Sequence, residues 1–324
     1  MLPSVLLVGW GWTVAEYLDA AAEIESLGFH ACYIGDDIFA HQANIDVGTF
    51  EPWTMLPAMA MRTRHLRLGS LVSPVGRRHP GLFAKITSTA DLLSGGRMIV
   101  GMGAGNAPEQ QRSLGVEFPS ARERVAMLGE ELEILRSLWT QTRTDFEGDH
   151  YSISGGVCEP KPPRPGGAEI LLAAEKPKMV ALAARFADRV NVLARGNSRT
   201  AEIARTTRRA ADALGRRGDD LVISRMCTVL LTDDPIGTVD ERYAAIDGRA
   251  NQIGMEPSVL RHELDHWIHS YVGPLDGLRQ WAHDSTDALG IDEMIICIDT
   301  IDTVDYQHTM AGLRLFSSAV INGR

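Results

Sequence analysis

Short apolar, β-branched runs alternate with amphipathic stretches along the whole chain. SVLLVGW (4–10) precedes a helical pattern over 13–28, and ACYIGDD (31–37) follows at once. A helical 52–63 leads into HLRLGSLVS (65–73). A helix over 80–96, with Pro at its first position and Gly at its end, leads into RMIVGMGAG (97–105). The helix over 121–140 carries Val125, Leu128, Leu132, Leu135 and Leu138 on one stripe. Beyond it the pattern predicts strands over 169–174, 189–194, 221–232 and 292–298, with helices over 177–186, 199–214, 274–290 and 302–318. Eight β–α units demand parallel strands with right-handed crossovers, and over this length they favour a closed TIM (β/α)8 barrel over an open doubly wound sheet. GWGWTV after the first strand lacks the third glycine of a dinucleotide fingerprint, which also argues against the open sheet. We expect one barrel domain over 1–324. Two segments outside the repeat, about 145–167 and 234–272, are read as insertions; the first follows a helix, which points it toward the face opposite the strands' C-terminal ends.

Composition narrows the function. The chain has 324 residues, 44% hydrophobic, with a formal net charge of −10. That content supports a large core and argues against disorder. The acidic balance argues against a nucleic-acid partner, and no run of 18 apolar residues is present to span a membrane. The apolar N-terminus lacks a basic lead and reads as a first strand, not a signal peptide. Cys32, Cys158, Cys227 and Cys297 form no CxxC pair, so reduced, buried thiols in a cytoplasmic protein are expected.

HELDHWIH (262–269) fits H-E-x-x-H. On a helix, His262 and His266 share a face suited to Zn²⁺, with Glu263 placed to deprotonate a bound water. A third ligand is needed, and only Glu293 and Asp299 offer themselves by position. Such a short pattern arises by chance, and the plainer reading is a polar helix whose imidazoles face solvent or cap a pocket. No metal is expected.

Other residues carry chemistry by place and type. GMGAGN (101–106) follows the fourth strand, on the face where barrel enzymes keep their sites, and its glycines let backbone N–H groups approach an anion; a simple turn is the alternative. Asp36 and Asp37 are adjacent, so their side chains point to opposite sides of the strand and do not form a dyad. If Asp37 faces the pocket, desolvation raises its pKa and suits it to proton transfer, with His41 as second candidate. Arg77, Arg78, His79, Lys176 and Lys178 are the local cations an anionic cofactor needs in an acidic chain, and Lys176 opens a helix whose N-terminal amides also favour phosphate. Trp10, Trp12 and Trp53 suit either an apolar pocket wall or the core. Helices over 52–62 and 80–93 carry apolar residues beyond one stripe.

Taken together, LRLGSLVSPVGRRHPGLFAKITSTADLLSGGRMIVGMGAG (66–105), LGVEFPSARERVAMLGEELEILRSLWT (114–140) and ILLAAEKPKMVALAARFADRV (170–190) resemble the luciferase-like, flavin- and deazaflavin-dependent oxidoreductases, which are TIM barrels. YIGDD, EPWTML and VSPVGRRHP look closest to coenzyme F420-dependent members of the ketoreductase-like branch, with an FMN-dependent monooxygenase as the alternative. The resemblance implies a non-prolyl cis link at Ser70–Leu71 behind the deazaflavin ring, with Ser73 beside it. It also implies Asp36 hydrogen-bonded to the ring, and Ala104, Gly105, Asn106, Glu109, Ala174, Glu175 and Lys176 along the cofactor. Departures are visible. Asn106 stands where an acid is common, Asp37 where histidine is usual, and Glu175–Lys176 where a Gly pair is frequent. Asp37, His41 and Asn106 are therefore the catalytic candidates. Trp10, Trp12, Trp53, His262, His266, Trp267 and Tyr271 are candidates to line or roof the site of a small, apolar substrate. A homodimer is the implied assembly.

Overall fold

A computed structural model describes residues 1–39, 47–193, 196–252, 254–261, 270–298 and 305–323. Eight parallel strands close on themselves. Numbered in chain order they are Leu2–Leu7, Ala31–Ile34, Arg67–Ser70, Met98–Gly103, Glu169–Ala173, Arg189–Leu193, Val222–Leu231 and Glu293–Ile298. Each pairs with the next, and strand eight pairs with strand one in the register Leu2↔Glu293, which leaves no edge. The expected barrel is present, and its strand ends differ from the sequence reading by a few residues.

The period of two decides which side chain faces where. Leu6, Tyr33, Ile99, Leu171, Met226, Ile295 and Cys297 form one buried cluster inside the barrel. Their strand neighbours, such as Leu7, Cys32, Val100, Leu172 and Ile296, belong to a second core between strands and helices. The helices are set by local chemistry. Thr13 and Glu16 form a capping box on Val14–Ser26, and Ser120 and Glu123 do the same for Ala121–Thr140. Gly95 closes Pro80–Ser94 in the left-handed region at φ 71°.

The N-terminal end of the barrel is closed by charge. Arg189 donates to Glu169 at 2.8 Å and to Glu293 at 2.9 Å, and Arg67 also pairs with Glu169. Glu293, 0% exposed, accepts further from Ser4 at 2.6 Å and Tyr33 at 3.0 Å. This corrects Glu293 as a metal-ligand candidate: as first residue of strand eight it lies at the wrong end and its oxygens are already taken.

Segment 145–167 folds largely as a two-stranded antiparallel hairpin, Thr144–Glu147 with Ser152–Gly156, against the outside of helices Pro80–Ser94 and Ala121–Thr140. Its Tyr151 ring reaches His79, the N-cap of Pro80–Ser94, at 5.8 Å. Segment 234–272 holds the helix Pro235–Gln252, with its own small core of Ile246, Ala250 and Leu260, and enters a short strand, Tyr271–Gly273, that extends the sheet beside strand seven. The four cysteines are buried. No helix among the described residues is long and apolar enough to cross a membrane.

Candidate active site at the barrel mouth

The floor of the mouth follows from the inward parity of the strands. Val8, Leu71, Val72 and Leu193 pack against the interior cluster from above, next to Cys297. The floor is thus apolar and built of small or medium side chains.

The link between strands three and four is the most constrained backbone here. The cis peptide lies at Leu71–Val72, one residue beyond the Ser70–Leu71 position expected. Ser70 is held in register with strand two, and the Leu71 N–H donates to Ile34 O at 2.9 Å, so the chain leaves the ladder only after Leu71. Two glycines make room. A Cβ on Gly101 would sit 1.7 Å from Ser70 O, and one on Gly103 would sit 2.8 Å from Val72 Cγ2. Ser70 Oγ donates to Gly101 O at 2.9 Å, and Trp53 Nε1 donates to Ser73 Oγ at 2.9 Å. Trp53 is therefore a buried buttress of the link, edge-on to Phe83. Trp12 is likewise buried, against Tyr17 and Tyr306. Trp10, by contrast, is half-exposed at the mouth.

Asp36 and Asp37 diverge as their adjacency requires. Asp36 is clamped by Arg77 at 2.9 Å and by Arg78 at 2.6 Å, with all three side chains largely buried. Burial pushes the Asp36 carboxyl up, but the Arg78 and Arg77 guanidiniums and the Ser73 hydroxyl outweigh it and hold it below its ordinary value. Arg77 and Arg78 thus meet a buried carboxylate within the protein, and through them Asp36 ties down the strand-three loop.

Only the absence of a Cβ on Gly35 makes room for Asp37: one there would lie 2.6 Å from Asp37 Oδ2. Burial raises its pKa and the neighbouring Asp36 adds to this; hydrogen bonds from Gln110 and Trp10 and the charge of Arg77 oppose but do not cancel it. Asp37 thus combines a raised pKa with a place in the loop that follows strand two at the mouth. Asn106 is exposed and Glu109 half-buried in the loop after strand four. Arg124 fixes that loop by donating to Ala104 O at 2.8 Å and Gly105 O at 3.3 Å, with its guanidinium stacked on Phe118.

After strand five, Lys176 is the exposed N-cap of helix Pro177–Phe186 and makes no side-chain capping bond, which leaves the first amides of the helix uncapped by it. Ala174 is buried, and Glu175 Oε1 accepts from Leu193 N at 3.3 Å. Lys178 is exposed. Two surface grooves, of about 640 and 490 Å³, are lined by residues that include Arg112, Phe118 and Glu123 in the first and Arg205, Arg208 and Asp292 in the second. Neither includes Asp36, Asp37 or the Leu71–Val72 link, so chemistry and not cavity size marks the mouth.

His41, Asp299 and all of HELDHWIH, with His262, Glu263, His266 and Trp267, lie outside the described residues. Among the described residues no cluster of histidine, cysteine or carboxylate side chains could hold a metal ion.

Sequence reasoning missed Gln110, Arg124 and Glu131. Gln110 and Arg124 are polar residues buried in loops and helix ends, where no motif flags them. Glu131, 2% exposed, faces inward from helix Ala121–Thr140 and takes the Gly76 N–H of the loop carrying Arg77 and Arg78.

Comparison with known proteins agrees with this geometry. Residues 9–276 match the model of the luciferase-like monooxygenase family. An F420-dependent glucose-6-phosphate dehydrogenase of Amycolatopsis mediterranei (strain U-32) is 30% identical over 176 residues, covering 53% of this chain and 51% of that one. The match to such curated relatives thus spans about half their length. Across its whole length the fold resembles that of an F420-dependent secondary alcohol dehydrogenase solved with an F420-acetone adduct, at TM-score 0.81 and 17% identity over 99% of this chain and 98% of that one. It also resembles the F420-dependent tetrahydromethanopterin reductase of Methanopyrus kandleri, at TM-score 0.77 and 16% identity, with 98% of each covered.

Proposed function

Because the chain belongs to the luciferase-like monooxygenase family, we propose that it is a coenzyme F420-dependent oxidoreductase acting on a small, apolar organic substrate. The observation that carries this reading is the apolar floor at the mouth together with Asp37, a carboxyl of raised pKa in the loop after strand two. The residues present fit the cofactor. Leu71 and Val72 offer a flat apolar backing for a tricyclic ring, and the N-terminus of helix Pro177–Phe186 with Lys176 offers a seat for phosphate. Bound there, the deazaflavin supplies a hydride from a ring carbon as a two-electron carrier.

This chain's residues supply the rest. Reduction of a ketone or activated C=C consumes one hydride and one proton. Asp37 gives the proton and is left as carboxylate; in the reverse oxidation of an alcohol it takes the hydroxyl proton. Asn106 cannot do this, since an amide neither releases nor accepts a proton near neutral pH. The Asp36–Arg77–Arg78 clamp holds the wall beside the ring, and the floor excludes water from the reacting carbon. Helices Pro52–Arg62 and Pro80–Ser94 leave Met61, Leu82 and Leu93 exposed, which supports a homodimer across that face.

Titrating the purified protein separately with F420 and FMN, and following ring fluorescence, tests the cofactor. We expect saturable F420 binding and oxidation of F420H₂ by members of a panel of ketones and enones. Saturable binding of FMN alone replaces the reading with an FMN-dependent monooxygenase.

A further inference from the structure

We propose that Gln110 is the positioning residue that sets the orientation and proton affinity of Asp37. The inference rests on the reading of Asp37 as the proton-bearing group. Gln110 is 7% exposed and lies in the six-residue helix Pro108–Ser113, just beyond the strand-four loop. Its side-chain oxygen accepts the Ile38 N–H at 2.9 Å, while its Nε2 donates to Asp37 Oδ1 at 3.3 Å and to Phe39 O at 3.4 Å. The amide can point only one way, because a flip would set NH₂ against the Ile38 N–H. A donor is therefore always presented to Asp37 Oδ1. That donor disfavours a proton on Oδ1, while Oδ2 lies against Gly35 where no Cβ intrudes.

The same contact ties two loops from different strands, 36–39 and 104–110, so the carboxyl is fixed relative to the strand-four loop. The other groups acting on Asp37 are Asp36 on its own loop, Arg77 from the strand-three loop, the Trp10 side chain and the Tyr17 phenol. Gln110, like Trp10, is an uncharged donor that moderates the effect of burial without adding a cation, and it alone of the two also accepts the Ile38 N–H.

The test needs no substrate. Protein labelled with ¹³C at aspartate carboxyls is titrated by NMR, and the Asp37 signal is assigned by its loss in Asp37→Asn. Gln110→Met removes the donor at similar size, and Gln110→Glu replaces it with a like charge of the same shape. We expect the Asp37 midpoint to rise in both, by about one pH unit or more in Gln110→Glu, and the pH profile of F420H₂ turnover to follow it. If either variant fails to fold, the other decides. An unchanged Asp37 midpoint in a folded variant overturns the proposal. Wild-type turnover in Asp37→Asn overturns instead the role given to Asp37, and leaves the NMR result standing on its own.

Discussion

The two ends of the barrel both set carboxylates beside arginines, and they satisfy them to different degrees. At the N-terminal end Arg67, Arg189, Glu169 and Glu293 form a closed network in which each Glu293 oxygen has a donor. At the mouth Asp36 takes both nearby guanidiniums, and Asp37 is left with neutral donors. A fully paired charge contributes rigidity and little reactivity. A buried carboxyl with no guanidinium hydrogen-bonded to it releases its proton at higher pH than a paired one and can move it. The site is thus made by an unequal division of a few charges between two adjacent carboxyls.

Breaking the closed end should have the largest effect. Glu293→Ala leaves Arg189 buried without one of its two carboxylates and removes the acceptor of Ser4 and Tyr33. We expect a loss of about 3–5 kcal/mol, the usual cost of stranding a buried charge, read as a lower midpoint in urea unfolding. A shift too small to measure would mean that the network is not what closes the barrel.

At the mouth the loss should fall on turnover instead. Asp37→Asn should lower the rate of F420H₂ oxidation by about 10²–10⁴-fold, the range for a general acid, with F420 affinity little changed. Its stability should move the other way. A carboxyl whose pKa is raised by folding contributes fully below its unfolded pKa and loses that contribution as pH rises through the folded one. Above that window the wild-type charge is a burden, so Asp37→Asn should be at least as stable as wild type at pH 8 by thermal melting.

This division explains what can be read from the chain alone. The barrel is legible because short continuous apolar runs such as VLLV and MIIC recur between helical stripes, and eight repeats admit few topologies. Opposite placement of Asp36 and Asp37 is legible from their adjacency. The identity of their partners is not. Arg77 and Arg78 look like free cations until the fold brings Asp36 between them, across some forty residues of chain. The cis link is expected one residue early because the register of strand three against Ile34, which holds Leu71 in the ladder, is a tertiary fact. Gly101 and Gly103 do carry a signal: alternate glycines in a buried strand mark close approach of another backbone, here that of Ser70 and Val72.

A third probe tests whether the mouth's supports share its proton-rich character. Burial raises Glu131 from 4.5 to about 8, against the charge of Arg78 and the Gly76 N–H, and its Oε2 has no partner among the described residues. The stability it contributes is complete below about its ordinary value and is lost as pH rises through about 8. Glu131→Gln should remove that loss, a slope on the order of 1 kcal/mol per pH unit, from urea unfolding measured between pH 5 and 9. His30 at the other end gives a control of opposite sign. Burial and the charges of Arg189 and Arg67 lower it from 6.5 to about 4, so its contribution is lost as pH falls through that window. That acid limb should persist unchanged in Glu131→Gln.

The smallest effect should come from Lys176, and its size separates paired from unpaired cations. Unlike Arg77 and Arg78, this exposed side chain sits at a helix N-terminus and makes no capping bond there. Any help it gives an anionic cofactor is therefore a screened surface attraction added to that of the helix amides. Such an interaction is worth about 0.3–1 kcal/mol at low ionic strength. Lys176→Ala should then weaken F420 binding by about two- to fivefold in low salt, and the difference from wild type should shrink as added salt shortens the Debye length toward about 8 Å. A loss that stays constant with salt would place the ammonium in a desolvated contact with the phosphate. The cation at the mouth would then be held as firmly as the paired arginines, and the helix amides could not be the main seat.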